Sequence, residues 1–398
     1  MNRIYSKRMN GLKASEIREI LKITEKPDVI SFAGGLPAPE LFPVEAMKAM
    51  SALVLDECGR EALQYAATEG YPPLREWIAA RMNATLGTAF DRDNILITHG
   101  SQQALDLSGK VFIDEGDGVV CESPTYLAAI SAFKAYGATF VEAPTDAGGM
   151  RAEDLDAVLD ANPHVKLIYV IPNFQNPTGT TLNRTRRKLL AQLAATRGVQ
   201  IIEDNPYGEL RFEGGHLPSI QSFDTEGNVL CTGTFSKILC PGVRIGWIAG
   251  DKEIIRKYVL VKQGTDLQCN TLAQIMIARF LEHYDIDAHI ASIVELYRKR
   301  RDVALAAMER DFPEGVRFTH PEGGLFVWAT LPSQVNAADL LTRCLEKKVA
   351  FVPGGSFFPG GGNENTLRIN FSNMDEQRIN HGIGILAETL RETMDACV

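Results

Sequence analysis

The stretch Val229-Leu230-Cys231-Thr232-Gly233-Thr234-Phe235-Ser236-Lys237 joins a short apolar run to hydroxyl groups and a lysine. Similar apolar runs recur between about residues 90 and 250, and helical patterns separate them. These runs are Ile95-Leu96-Ile97-Thr98, Gly118-Val119-Val120-Cys121, Leu167-Ile168-Tyr169-Val170-Ile171, Gln200-Ile201-Ile202-Glu203 and Ile245-Gly246-Trp247-Ile248-Ala249. Apolar strands that alternate with helices predict a mainly parallel sheet covered on both faces. Ligands bind such sheets at the carboxyl ends of the strands, so the side chains there are the candidate chemical groups.

The side chains that end the first stretch predict a site for pyridoxal phosphate. The amine of Lys237 can form a Schiff base with a carbonyl group. Thr234, Ser236 and the nearby Arg244 can bind a phosphate. A carbonyl and a phosphate on one small ring describe this cofactor. The alternative for this stretch alone is a surface lysine in a loop of small polar residues.

Two further strand ends carry groups that this cofactor would use. Asp204 ends the run that begins at Gln200, and a carboxylate there can keep the pyridine nitrogen protonated. Tyr207 and Asn176 can hydrogen-bond the phenolic oxygen of the ring. The alternatives are an aspartate that caps a turn and a simple Asn-Pro-Thr-Gly turn.

Four other residues complete the candidate site. Ser101 and Gln102 lie where a strand leads into a helix, and a helix N-terminus binds anions. Tyr126 can stack on the pyridine ring, and Arg368 can bind a substrate carboxylate through two hydrogen bonds. The alternatives are a plain serine N-cap, a core or surface tyrosine, and an arginine in a structural ion pair.

The composition excludes several classes of protein. The chain has 398 residues, 45% of them hydrophobic and 23% charged, which is typical of a globular protein of two or three structural units. Its formal net charge of −9 argues against a nucleic-acid surface, and the densest basic run, Arg298-Lys299-Arg300-Arg301, predicts a solvated helix face. Seven scattered cysteines without a CxxC pair, and histidines without an HExxH pattern, predict neither disulfides nor a metal site. No signal-peptide or membrane-length apolar run is present, so we expect a cytoplasmic protein.

The rest of the chain predicts an N-terminal helix and a second unit. Residues 11–24 have the pattern of a short amphipathic helix, and the Gly/Pro-rich loop around Gly35 predicts a close backbone approach. A long helical stretch covers about 271–310. The runs Phe326–Ala329, Val349–Val352 and Thr366–Phe371 then predict strands of a smaller α+β unit, with a final helix from Asp375.

These motifs resemble those of the fold-type I PLP-dependent aminotransferases, and most of all the 2-aminoadipate and kynurenine/aminoadipate aminotransferases. The resemblance covers essentially the whole chain. It rests on Ala14–Arg18, Phe32–Pro37, Leu63–Tyr65, Thr68–Tyr71, Gly100–Asp106, Pro172–Gly179, Ser236-Lys237 with Arg244, and Phe351–Gly355. It implies an α/β fold whose large domain has a mainly parallel, mixed seven-stranded sheet covered by helices. A smaller α+β domain would be completed by an N-terminal arm, with the arm and lid over 1–45, the large domain over 46–290 and the small domain over 291–398.

The resemblance also implies a role for each candidate residue. Lys237 would carry the cofactor and move the substrate proton, with Asp204 and Tyr207 beside it as catalytic groups. Ser101, Gln102, Tyr126, Asn176, Thr234, Ser236 and Arg244 would bind the cofactor. Tyr65 would reach the phosphate of a neighbouring subunit, so we expect a homodimer with shared sites. Gly35, Asn176 and Arg368 would bind the substrate, and Arg18 would read a distal carboxylate.

The implied reaction is a ping-pong transfer of an amino group from an L-amino acid to 2-oxoglutarate, with 2-aminoadipate, aromatic and branched-chain amino acids as candidate donors. One alternative is another PLP reaction on the same scaffold, such as that of a β-lyase or a decarboxylase. A second is a non-enzymatic sensor domain of a transcription regulator. We disfavour the sensor, because the aminotransferase-like pattern begins within the first 20 or so residues and leaves no room for a DNA-binding domain before it.

Overall fold

A computed structural model describes residues 5, 6, 8, 9 and 28–396. The predicted helix over 11–24 therefore lies outside the described residues. The helices are α1 (Val44–Ala62), α2 (Pro72–Leu86), α3 (Gly100–Phe112), α4 (Leu127–Lys134), α5 (Leu155–Ala161), α6 (Arg184–Arg197), α7 (Lys252–Gln263), α8 (Thr271–His283), α9 (Ile286–Asp311), α10 (Ala337–Glu346) and α11 (Glu376–Asp395). The strands are β1 (Ile30–Ser31), β2 (Ile95–Thr98), β3 (Gly118–Cys121), β4 (Thr139–Glu142), β5 (Thr145–Asp146), β6 (Gly149–Met150), β7 (Val165–Val170), β8 (Gln200–Asp204), β9 (Val229–Thr234), β10 (Gly246–Ala249), β11 (Arg317–Phe318), β12 (Phe326–Thr330), β13 (Val349–Ala350), β14 (Val352–Pro353) and β15 (Thr366–Asn370).

The central sheet has seven strands in the order β2-β10-β9-β8-β7-β3-β4, which confirms the predicted α/β fold. Strand β10 is antiparallel to both of its neighbours, and the other four pairings are parallel. Strands β2, β3, β9 and β10 are buried at every position, because packed helices cover both faces of the sheet. The sequence analysis missed β4, since this edge strand is exposed or half-buried throughout and has no apolar run.

The register of the central sheet gathers its polar strand ends at one edge. Asp204, the last residue of β8, pairs with Thr232 of the neighbouring parallel strand β9. Strand β10 runs the other way, so its first residue, Gly246, pairs with Thr234 at the end of β9. This antiparallel strand explains why Arg244, which precedes β10, lies at the same edge as residues that follow other strands.

The stretch from 271 to 310 forms two helices, so its interpretation as one long helix was wrong. Helix α8 ends at His283, and the Asp285 side chain caps α9 by accepting a 3.0 Å hydrogen bond from the backbone N–H of Ala288. The solvated face predicted for the basic run was wrong for half of it, because Arg300 and Arg301 are buried. Their guanidinium groups donate hydrogen bonds to the carbonyl oxygens of Ser372 (2.6 Å) and Pro321 (2.9 Å).

The C-terminal part contains an antiparallel four-stranded sheet in the order β11-β12-β15-β14. The single strand predicted over Val349–Val352 is divided into β13 and β14, which belong to different sheets. Strand β13 pairs in parallel with β1, so a segment near the N-terminus joins this part as the fold class implies. The domain limits stay a prediction, and the limit at 290/291 falls inside α9. No helix of the described residues is long and apolar enough to cross a membrane.

Candidate active site

A cavity of about 640 Å³ opens at the edge of the central sheet where the polar strand ends meet. Its walls include the predicted site residues Gly35, Ser101, Gln102, Tyr126, Asn176, Asp204, Tyr207, Thr234, Ser236, Lys237, Arg244 and Arg368. These residues come from segments that are far apart in the sequence. The parallel strand arrangement brings them together, as expected for ligand sites in α/β sheets.

Lys237 lies just beyond strand β9, and its Nζ donates a 2.8 Å hydrogen bond to the carbonyl oxygen of Gly35. Desolvation, together with the positive charges of Arg368 and Arg244, lowers the pKa of Lys237 to about 8. About a tenth of the amine is therefore uncharged at pH 7, and the uncharged amine is the nucleophilic form. The predicted close approach at Gly35 is present, since a Cβ atom there would lie 3.1 Å from the Phe326 ring.

Asp204 is 2% exposed and accepts two short hydrogen bonds. Thr232 Oγ1 donates to its Oδ1 at 2.6 Å, and the Tyr169 hydroxyl donates to its Oδ2 at 2.8 Å. Burial raises the pKa of Asp204, and the two donated bonds oppose that rise. A carboxylate has about four lone-pair sites, so this one can accept a third donor from the cavity.

Helix α3 begins at the cavity and directs its first turn there. The backbone N–H groups of Ser101 and Gln102 belong to this first turn, where an α-helix leaves its amide donors without helical acceptors. Gly100 has a positive φ of 70°, and a Cβ atom there would lie 2.5 Å from Nη2 of Arg244. Glycine at this position therefore lets the guanidinium approach the start of the helix.

Hydroxyl groups and a guanidinium complete this end of the cavity. Arg244 has a positive φ of 53°, and its Nη1 donates to Ser236 Oγ at 3.3 Å. Its Nη2 donates to the carbonyl oxygen of His99 at 3.2 Å, and Thr234 Oγ1 donates to Ser236 Oγ at 2.9 Å. A helix N-terminus, two hydroxyls and a guanidinium together are a donor set that suits a phosphate.

A second cation marks another part of the cavity. Arg368 is 2% exposed, and its Nη1 donates to Asn176 Oδ1 at 2.8 Å. Its Nη2 donates to the carbonyl oxygen of Ala33 at 2.7 Å, whereas its buried Nε has no partner. Burial lowers the pKa of Arg368 to about 10. Tyr207 lies beside it, and burial raises the pKa of this phenol while a hydrogen bond with Asn176 opposes the rise.

These residues fit pyridoxal phosphate. The Arg244 end offers donors for a phosphate, Asp204 offers an acceptor for a protonated ring nitrogen, and Lys237 offers an amine for the carbonyl carbon. Arg368 lines the cavity without a carboxylate partner among the described residues, so its guanidinium offers a cation for a carboxylate of a substrate.

Comparisons with known proteins give a second line of evidence, which concerns the whole chain. Residues 28–386 match the family described as aminotransferase class I and II. The chain belongs to this family. The aromatic-amino-acid aminotransferase 1 of Thermococcus litoralis is 48% identical over 394 residues, which cover 98% of this chain and 94% of that protein. The 2-aminoadipate transaminase of Thermus thermophilus is 42% identical over 394 residues, which cover 97% of this chain and 96% of that protein.

A solved structure supports the cofactor. The crystal structure of an α-aminoadipate aminotransferase from Thermus thermophilus, complexed with N-(5'-phosphopyridoxyl)-L-leucine, has a TM-score of 0.92 to this chain at 40% identity. The match covers 98% of both chains. The protein is thus a PLP-dependent aminotransferase that acts on small-molecule amino and oxo acids, as the sequence predicted.

Two predicted site residues of the aminotransferase are not among the described residues that line the cavity. Arg18 lies outside the described residues. Tyr65 is 79% exposed and lines a separate surface groove of about 580 Å³ with Gln64, Tyr71 and Thr271. Within one chain, the structure therefore does not bring Tyr65 to the other site residues.

The sequence analysis missed several groups that shape the site of the aminotransferase. Tyr169 and Thr232 hold Asp204, and Phe326 forms part of the cavity wall next to Arg368. The one feature of the sequence that could have indicated Tyr169 and Thr232 as site residues is a hydroxyl side chain next to or within an otherwise apolar run. That signal becomes specific only with the strand register, which pairs Thr232 with Asp204.

A polar cluster lies next to the Arg244 end of the aminotransferase cavity. His99, Asp266 and Cys269 place possible metal-ligand atoms within 4.8 Å of one another. However, the buried Nζ of Lys262 donates to both carboxylate oxygens of Asp266, at 2.7 and 2.9 Å. The carboxylate is thus already paired with an ammonium group, and we assign this cluster a structural role.

Proposed function

We propose that this aminotransferase moves the amino group of a large L-amino acid to 2-oxoglutarate, with both half-reactions in one cavity by a ping-pong mechanism. The observation that carries the proposal is that the Lys237 amine shares the cavity with two guanidinium groups, Arg244 and Arg368, whose charges both act on it. Among the described residues, neither guanidinium forms an ion pair with a carboxylate. The two cations therefore suit the two anionic groups of the reaction, the cofactor phosphate and the substrate α-carboxylate.

The proposed cofactor contacts follow from the walls of the cavity. The phosphate would be held by Ser101, Gln102, Thr234, Ser236 and Arg244. Asp204 would accept the ring N–H, Tyr207 and Asn176 would contact the phenolic oxygen, and Tyr126 would stack on the ring. When bound, pyridoxal phosphate supplies a carbonyl that takes the amino group and a ring that takes up electrons from the substrate α-carbon.

The residues of the chain would orient the substrate and move its proton. Arg368, which lines the cavity, would bind the α-carboxylate through its guanidinium. Nζ of Lys237 would take the proton from the α-carbon and return it later in the half-reaction. Its pKa of about 8 suits this work, because a general base is most effective when its pKa lies near the working pH.

The described walls of the cavity favour large apolar donors. Leu127, Ile171 and Phe326 line it. Lys237, Arg244 and Arg368 are its cationic side chains among the described residues, and each already has a role in the proposed reaction. We therefore propose aromatic and branched-chain L-amino acids as donors. A dicarboxylic donor such as 2-aminoadipate would need a further cation, for which Arg18 is the candidate.

We also propose that the protein is a homodimer in which Tyr65 of one subunit contacts the phosphate bound by the other. The large exposure of this aromatic residue, beside a groove on its own chain, supports the proposal. The cytoplasmic location stays a prediction from the sequence.

The test is the absorbance spectrum of the protein with bound cofactor during additions of single L-amino acids. Phenylalanine, leucine, kynurenine, 2-aminoadipate and glutamate would be compared, each followed by 2-oxoglutarate. We expect the aldehyde form of the cofactor to give way to the amine form, and 2-oxoglutarate to restore it. Release of ammonia or of CO2 without conversion of the cofactor to its amine form would instead indicate lyase or decarboxylase chemistry.

The Arg18→Ala variant tests the dicarboxylate branch of the proposal. It should lose more activity with 2-aminoadipate and glutamate than with phenylalanine. Equal losses with both classes would remove Arg18 from the account of specificity while leaving the transamination itself intact.

A further inference from the structure

Arg368 is a buried cation that packs between two aromatic rings. Its Cζ lies 4.2 Å from the ring centroid of Phe326 and 5.1 Å from that of Phe357. Its hydrogen-bond acceptors among the described residues are neutral: the Asn176 amide oxygen and the Ala33 carbonyl oxygen. The negative faces of the two rings therefore take the place of the carboxylate that usually balances the charge of a buried guanidinium group.

Phe357 is the ring of this pair that does not line the cavity. It is fully buried at the end of the short 3-10 turn Gly355–Phe357, and its ring meets the Trp328 ring edge-on at 5.7 Å. Its carbonyl oxygen accepts a 2.8 Å hydrogen bond from the backbone N–H of Thr125, the residue before Tyr126. One residue thus contacts the arginine through its ring and the Tyr126 segment through its backbone.

We propose that Phe357 is a positioning residue for carboxylate recognition, which holds the charged guanidinium of Arg368 through its ring and so keeps it in the cavity wall where a substrate carboxylate would bind. This inference rests on the proposed role of Arg368. An aliphatic side chain of similar size would fill the same space, but it has no negative π face to attract the cation. The guanidinium would then lose a partner without a change in the charged groups of the cavity.

The test compares the variants Phe357→Leu and Phe357→Met with the matched control Phe358→Leu, all with bound cofactor. Phe358 follows on the same turn, is partly buried and has its ring 6.2 Å from that of Trp328. Of these two neighbouring phenylalanines, Phe357 is the one that packs over the guanidinium. The probe is 3-phenylpropionate, a carboxylate without an amino group, titrated through the absorbance of the bound cofactor.

We expect both Phe357 variants to bind 3-phenylpropionate about 30-fold more weakly, the size of a desolvated cation–π contact. The KM values for phenylalanine and 2-oxoglutarate should rise by a similar factor, while kcat and cofactor affinity change less. A residue with only a packing role would not produce this split between KM and kcat. Phe358→Leu should stay within about twofold of the wild type.

Three outcomes would be decisive. Wild-type affinity for 3-phenylpropionate in either Phe357 variant overturns the inference. Equal losses in Phe358→Leu also overturn it, since packing around Trp328 would then explain the effect. The variant Arg368→Ala distinguishes the role of Arg368 from that of Phe357. Wild-type affinity for 3-phenylpropionate in this variant would refute the proposed role of Arg368. Weaker binding in Arg368→Ala together with wild-type binding in the Phe357 variants would refute only the positioning role of Phe357.

Discussion

Replacement of Gly100 by alanine should separate cofactor affinity from fold stability. Gly100 starts helix α3 with a φ of 70°, and a Cβ atom there would lie 2.5 Å from Nη2 and 3.2 Å from Cζ of Arg244. The arginine side chain can swing away, so the fold survives the contact. The guanidinium then leaves the place where the phosphate would need it.

Two free energies follow from this geometry. An alanine in the left-handed region costs roughly 1–2 kcal/mol of stability. Loss of charge-assisted hydrogen bonds from Arg244 to a phosphate costs roughly 1.5–3 kcal/mol more, but only when the cofactor is bound. The second term corresponds to a rise of about 10- to 100-fold in the Kd for pyridoxal phosphate.

Gly198→Ala is the matched control for Gly100→Ala. Gly198 ends helix α6 with a φ of 65°, and a Cβ atom there would meet nothing within 4 Å. Denaturant unfolding without cofactor should show a similar loss in both variants, whereas absorbance titration with pyridoxal phosphate should show weaker binding only in Gly100→Ala. Cofactor binding of wild-type strength in Gly100→Ala would refute the assignment of Arg244 to the phosphate.

Three further predictions concern buried groups. The pKa of about 8 at Lys237 predicts that the rate of cofactor attachment to the cofactor-free protein rises about tenfold per pH unit below pH 8 and levels off above it; a flat stopped-flow profile would contradict this. Tyr169→Phe removes one donor to Asp204 and should weaken cofactor binding about threefold to tenfold in an absorbance titration, whereas unchanged binding would make that hydrogen bond irrelevant. Burial raises the pKa of the Glu122 carboxyl from 4.5 to about 8, so its contribution to stability is present below pH 4.5 and is lost as pH rises through 8. In urea unfolding, the free energy of unfolding of the wild type should therefore fall by a few kcal/mol between about pH 5 and 8, and Glu122→Gln should remove this pH dependence. The same pH dependence in both proteins would refute the prediction.

The residues that the sequence could place are those next to a strong local pattern. Lys237 and Asp204 each follow an apolar run, and such runs mark buried strands of a parallel sheet. Parallel strands place their carboxyl ends at one edge, so the neighbourhood of these two residues followed from the fold class alone.

The features that the sequence missed depend on contacts between distant segments. The sequence predicted that Arg300 and Arg301 are solvated, because a run of basic residues is usually exposed. Their acceptors, the carbonyl groups of Ser372 and Pro321, lie far away in the sequence and cannot be recognised from the run itself. Tyr169 lies inside an apolar run, where an aromatic residue is ordinary, and its bond to Asp204 depends on the packing of two strands. Local propensity cannot supply such information, because the partners are set by the register and the tertiary fold.

The most direct test of the central claim is to identify the lysine that carries the cofactor. The protein with bound pyridoxal phosphate would be treated with borohydride, digested and examined by mass spectrometry for a peptide with a reduced cofactor adduct. The account predicts the adduct on the peptide that contains Lys237. An adduct on another lysine, such as the buried Lys262, or on none, would contradict the assignment of Lys237 as the amine of the active site.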